Sequence, residues 1–77
     1  MEVKKKLSYS EALKILSERE SEVLALVGKG YSNKKIAAEL SISVRTVQAH
    51  RNAICNKLGI HGRGRLTKWY VRKNSEN

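Results

Sequence analysis

A chain of 77 residues is long enough for one domain and too short for two. Its net charge of +9 calls for a polyanionic partner, and its single cysteine, Cys55, excludes disulfides and a zinc ligand set. The two histidines, eleven positions apart in a chain without Asp, give neither a metal site nor a nucleophile–base–acid arrangement, so neither an enzyme nor a cofactor is expected. The charge is unevenly placed. Residues 1–39 hold eight Lys/Arg against six Glu, whereas residues 40–77 hold eight against Glu76 alone, with no acidic residue from Leu40 to Ser75. A merely solvated surface mixes signs, so this asymmetry favours nucleic acid. An anionic membrane would need a basic amphipathic helix with exposed Leu or Trp, or a lipidation signal; neither is visible, and no segment is long enough to span a bilayer.

In chain order, Met1–Leu7 reads as a basic leader with no apolar run behind it, and so not as a signal peptide. Within residues 1–15, Ser8 with Glu11 three positions on can cap a short extra helix to about Leu16, docked by Leu13 and Leu16. Ser17 with Glu20 is a stronger start signal of the same kind. Val23, Leu24 and Val27, with Leu26 beside them, make an apolar stripe that Gly28-Lys29-Gly30 ends, which predicts a helix over 18–28. Ser32 caps the next, over 33–40, with Ile36, Ala37 and Leu40 inward. Ser43 caps a longer one over 44–58, closed by Gly59, with Val44, Val47, Ile54 and Leu58 on its core side. A last helix over 63–73 carries Leu66, Trp69 and Tyr70 on one side, and 74–77 reads as a disordered tail. The prediction is an all-α fold, a four-helix bundle over 16–73 plus the short N-terminal helix.

Ala37, Ile42 and Val47 sit five and five apart, which suits a helix-turn-helix: a small residue at the crossing, an apolar turn residue, and an apolar anchor on the second helix. Ser41 stands where the sharp turn favours Gly and must be left-handed if the turn is tight. At about 100° per residue, Arg45, Gln48, Ala49, Asn52 and Asn56 face away from the core side of 44–58. Gln48 and Asn52, one turn apart, can each make paired hydrogen bonds to adenine, and Ala49 can touch a thymine methyl. These three are the expected base contacts. Lys34, Arg45, Thr46, His50, Arg51 and Lys57 are the expected backbone contacts, Thr46 through the first helical turn. His50 is read equally as a packed imidazole, and Cys55 as a filler at the core margin. Trp69 and Tyr70 are badly placed to stack on unpaired bases, which argues against RNA; core packing or a homodimer contact suits them and Leu66 better.

Several separated motifs, in order, are similar to a known family. Leu16-Ser17-Glu18-Arg19-Glu20-Ser21-Glu22-Val23-Leu24, Gly30-Tyr31-Ser32-Asn33-Lys34-Lys35-Ile36-Ala37, Ile42-Ser43, Thr46-Val47-Gln48-Ala49-His50 and Lys57-Leu58-Gly59-Ile60 resemble the LuxR/FixJ-type (GerE-like) DNA-binding domain of bacterial transcription regulators over residues 16–72. The resemblance implies a four-helix domain whose helix 44–58 enters the major groove of double-stranded DNA, with a homodimer through the last helix, contact with RNA polymerase as a further possibility, and a cytoplasmic, nucleoid-associated location. It implies base-facing roles for Gln48, Ala49 and Asn52 and backbone roles for Lys34, Thr46 and Lys57. The sequence departs from the family's usual pattern at Gln48, where Lys is usual, which points toward adenine. It also departs at Gly62, Gly64, Thr67 and Lys68, which weakens the start of the last helix and its dimer face. Regulators of this kind usually carry an N-terminal receiver or ligand-binding domain; Met1 followed by a leader favours a stand-alone regulator over an excised domain. The competing reading is a helix-turn-helix protein-interaction module that contacts the transcription machinery, resembling sigma region four.

Overall fold

In a computed structural model that describes residues 8–62 and 64–75, four serines set where four of the helices begin. Helix α1 is Tyr9–Ile15, α2 Glu18–Gly28, α3 Asn33–Leu40, α4 Val44–Leu58 and α5 Arg65–Ser75, and no strand occurs among the described residues. Ser8 Oγ accepts from Glu11 N at 3.2 Å while the Glu11 carboxylate accepts from Ser8 N at 2.9 Å. Ser17 and Glu20 repeat the exchange at 3.1 and 2.9 Å. Ser32 and Ser43 cap α3 and α4 by accepting from Lys35 N and Thr46 N. Each such cap contributes about 1 kcal/mol by satisfying an otherwise orphaned N–H.

The core is built around α2, whose Val23, Leu24 and Val27 are essentially inaccessible. Ile36 and Ala37 of α3, Val47 and Ile54 of α4, Leu66 of α5 and Leu16 between α1 and α2 complete it. Helix α2 packs on α3, α4 and α5, α3 packs on α4, and α1 rests on α5. At about 1.5–3 kcal/mol for each fully buried aliphatic side chain, this cluster is the main favourable term. The α3–α4 corner depends on Ser41 at φ 57°, the sole non-glycine with positive φ among the described residues. That conformation costs about 1 kcal/mol, and it lets Ile42 N donate back to Ala37 O at 3.0 Å and folds Ile42 against the core.

The elements depart from the sequence reading at Val44, on α1 and at both ends of α5. Val44 is 47% exposed rather than on the core side, because it is the first residue of α4, exposed together with Ser43 and Arg45, and the helix first reaches the core at Val47. On α1 the fully buried residue is Ala12, with Leu13 only half-buried. Helix α5 begins at Arg65, not at residue 63, because Gly64 at φ 76° and Gly62 at φ 110° cannot continue a right-handed helix. It then runs through Ser75, past the expected end at 73, since nothing in 65–75 is Gly or Pro. The expectations for 1–7, Arg63 and 76–77 lie outside the described residues.

Gly28 has a role beyond ending α2. A Cβ there would collide with the Tyr70 ring, so this glycine allows α5 to lie directly against the end of α2. Tyr70 also meets Tyr9 edge-on at 5.4 Å between ring centroids, and Tyr9 lies 6.3 Å from Trp69. Burial foremost, with the hydrogen bond to Tyr70, pushes the Tyr9 hydroxyl above the usual phenol range.

Candidate nucleic-acid interface

Helix α4 is two-sided. Val47 and Ile54 are fully buried, Leu58 half-buried, and Arg45, Gln48, Ala49, Asn52 and Asn56 are all exposed. The outward row predicted from helical periodicity is therefore the outward row of the fold. Thr46, His50, Arg51 and Cys55 flank it, each half-buried. Lys34 is exposed on the first turn of α3, and Ala37, Ile42 and Val47 form the seam that fixes the angle between α3 and α4. The exposed face of α4 offers amides, a methyl and a cation, and no carboxylate.

The structure brings Gln48 and Asn52 together as expected, and adds a residue that the sequence reading did not single out. Asn33 Nδ2 donates to Gln48 Oε1 at 3.1 Å, and Gln48 Nε2 donates to Asn52 Oδ1 at 3.0 Å. Three side-chain amides thus form one chain from the first residue of α3 along one turn of α4. The signal for Asn33 was present but non-local: a helix-turn-helix corner places the start of the first helix against the early turns of the second, fifteen residues on. An open polar groove continues along this face past Arg51, Asn56 and His61.

Among the expected backbone contacts, Lys57 has a partner within the chain. Lys57 Nζ lies 2.7 Å from Glu20 Oε1, so its ammonium holds α4 against α2 while the side chain stays partly exposed. Glu20, which closes the cap of α2, is also the buried partner of Lys57. The Lys57 hydrogen bond first, and the Ser17 N–H second, hold its carboxyl below the usual range. Thr46 N is engaged by Ser43, and the Thr46 and Ser43 hydroxyls lie 2.9 Å apart, which leaves the hydroxyls of this first turn facing outward as a pair. His50, half-buried, is compatible with either of its two readings. Cys55 sits at the core margin as expected; burial pushes its thiol up, against the opposing pull of the Arg51 charge.

The proposed dimer residues are mostly occupied within the chain. Leu66 is 3% exposed and belongs to the chain's own core cluster. Trp69 and Tyr70 are half-buried against the same core and Tyr9. No group of three His, Cys, Asp or Glu suited to a metal occurs among the described residues. Nor is any helix among them long and apolar enough to cross a membrane.

Residues 14–70 match the sequence profile described as "Bacterial regulatory proteins, luxR family". The chain is 47% identical over 64 residues to the oxygen regulatory protein NreC of Staphylococcus aureus strain bovine RF122 / ET3-1, and 45% identical over 64 residues to that of strain JH9. Each match takes in 83% of this chain and 30% of the relative, so the chain spans under a third of the length of these relatives.

Proposed function

Since the chain belongs to the luxR family of bacterial regulatory proteins, DNA-binding transcription regulators that share its helix-turn-helix, we propose that it binds double-stranded DNA sequence-specifically, with α4 in the major groove and as a homodimer. The observation that carries this is the exposed row Gln48, Ala49 and Asn52 on α4, set in a stretch with no acidic residue from Leu40 to Ser75. Gln48 and Asn52 pair with base edges, and adenine is the base whose N6 and N7 match a carboxamide. Ala49 lets the helix approach closely. Lys34, Arg45, Thr46, Arg51 and His50 meet phosphates on either side and set the register. Lys57 contributes by fixing α4 on α2, with its remaining N–H groups directed to the backbone. A two-fold pair of such domains reads two half-sites one helical turn apart; in it the outer side of α5, where Val71 is 55% exposed, faces the second copy, and Trp69 and Tyr70 back that surface from within. The setting consistent with this role is the bacterial cytoplasm, at the nucleoid.

Selection of bound duplexes from a random pool, at two salt concentrations, tests the proposal. A recovered site with two-fold symmetry, and an affinity that falls steeply with salt, is expected. Recovery of no common sequence would instead favour the protein-interaction reading, in which α4 contacts the transcription machinery.

A further inference from the structure

We propose that Asn33 is a specificity-determining positioning residue, which sets the orientation of the Gln48 carboxamide and thereby the base it selects; this rests on the reading of α4 as the base-reading helix. A glutamine on an exposed helix face has three rotatable bonds and an amide that can present either end. Here both ends are assigned. The oxygen accepts a hydrogen bond from Asn33 Nδ2 at 3.1 Å, and the nitrogen donates one to Asn52 Oδ1 at 3.0 Å. The amide therefore runs with its oxygen toward α3 and its nitrogen toward the next turn of α4.

That polarity has a chemical consequence. A carboxamide reads adenine by accepting from N6 and donating to N7, and those two atoms occur in opposite order along A·T and T·A. Fixing which end of Gln48 faces α3 thus favours one of the two pairs. The chain of amides survives base binding, because Gln48 Oε1 keeps a second lone pair and Nε2 a second proton. In the free chain Gln48 and Asn52 are exposed and Asn33 half-buried, so water competes for these bonds. Exclusion of water by a bound duplex strengthens them where it matters. Asn33 suits the task because it is the first residue of α3, backed by the Ser32 cap, so its side chain starts from a fixed backbone.

The test uses the full chain and a duplex recovered by selection, with every single base-pair change, for wild type, Asn33→Ala, Asn33→Asp, Gln48→Ala and the Asn33→Ala/Gln48→Ala pair; circular dichroism confirms that each variant folds. Gln48→Ala identifies the base pair that Gln48 reads. Asn33→Ala is expected to cut discrimination at that same pair by about fivefold or more, leave the salt slope unchanged, and add nothing at that position in the double variant. Asn33→Asp can only accept, so it turns the Gln48 amide end for end and moves the preference rather than merely weakening it. The proposal is overturned if Asn33→Ala leaves discrimination at the Gln48 position intact. It is equally overturned if the variant weakens all duplexes alike with a shallower salt slope, which would make Asn33 a phosphate contact. Those outcomes leave Gln48 as reader; loss of any Gln48→Ala effect would instead overturn the reading of α4 and this proposal with it.

Discussion

Glu20 shows how one side chain can hold two connections. Its carboxylate closes the cap of α2 and accepts from Lys57 of α4, and it is buried while Lys57 remains about two-fifths exposed. Both contacts favour the ionised form, so the carboxyl is held below the 4.5 of an ordinary Glu. The stabilisation is therefore fully present above that ordinary value and is lost as pH falls through the lowered one. Urea unfolding from pH 6 downward should show wild type losing stability across this acid window. Glu20→Gln should start less stable and lose less there. Equal acid slopes for the two proteins would show that Glu20 does not carry the effect. Cys55 gives a second residue-scale test. Its half-buried thiol is raised above its ordinary range, so it is protonated at neutral pH and a poor nucleophile. Alkylation by iodoacetamide should be slow in the folded chain and reach the rate of a free thiol only in denaturant. Fast labelling of the native protein would contradict this placement.

At the scale of elements, the helix limits were largely legible because the chain marks them chemically. Ser17/Glu20, Ser32 and Ser43 start α2, α3 and α4 where the spacing predicted, and Gly59 at φ 68° ends α4. The placements of Val44, Lys57 and Gly28 share one cause: each depends on what lies across a contact, not along the chain. Helical periodicity puts Val44 on the core side, but α4 first reaches the packed body at Val47. Lys57 reads as a surface cation until Glu20, 37 residues earlier, is placed beside it. Gly28 reads as a terminator, yet its lack of a side chain is what admits the Tyr70 ring. Gly28→Ala should destabilise the fold by about 1–3 kcal/mol through overpacking, read as a lower urea midpoint with unchanged m. Ser41→Gly should stabilise it by up to about 1 kcal/mol, since Ser41 holds a left-handed conformation that glycine adopts freely. A shift of the opposite sign in either variant would mean that the corner or the α2–α5 contact is built differently.

At the scale of the molecule, the fold divides labour between its two halves. Helices α1 and α2 carry most of the acidic residues and supply the packing platform; the chain from α4 onward carries the positive charge, with no acidic residue up to Ser75. The exposed amide face of α4 was legible because composition and helical period agree on it, whereas the amide chain along it was not, because Asn33 meets Gln48 only once the corner is folded. On the proposed reading the cations act mainly through the phosphate backbone. Lys34→Ala should weaken binding to all duplexes about equally and reduce the salt slope by about one; a loss confined to one sequence would make Lys34 a base contact instead. The central claim is that the outer row of α4 reads bases. It is tested most directly by comparing wild type and Gln48→Ala on a selected duplex and its single base-pair variants, at matched salt. The account predicts that Gln48→Ala loses about 1–3 kcal/mol of discrimination at one base pair of each half-site, with an unchanged salt slope. Discrimination equal to wild type at every position would contradict it.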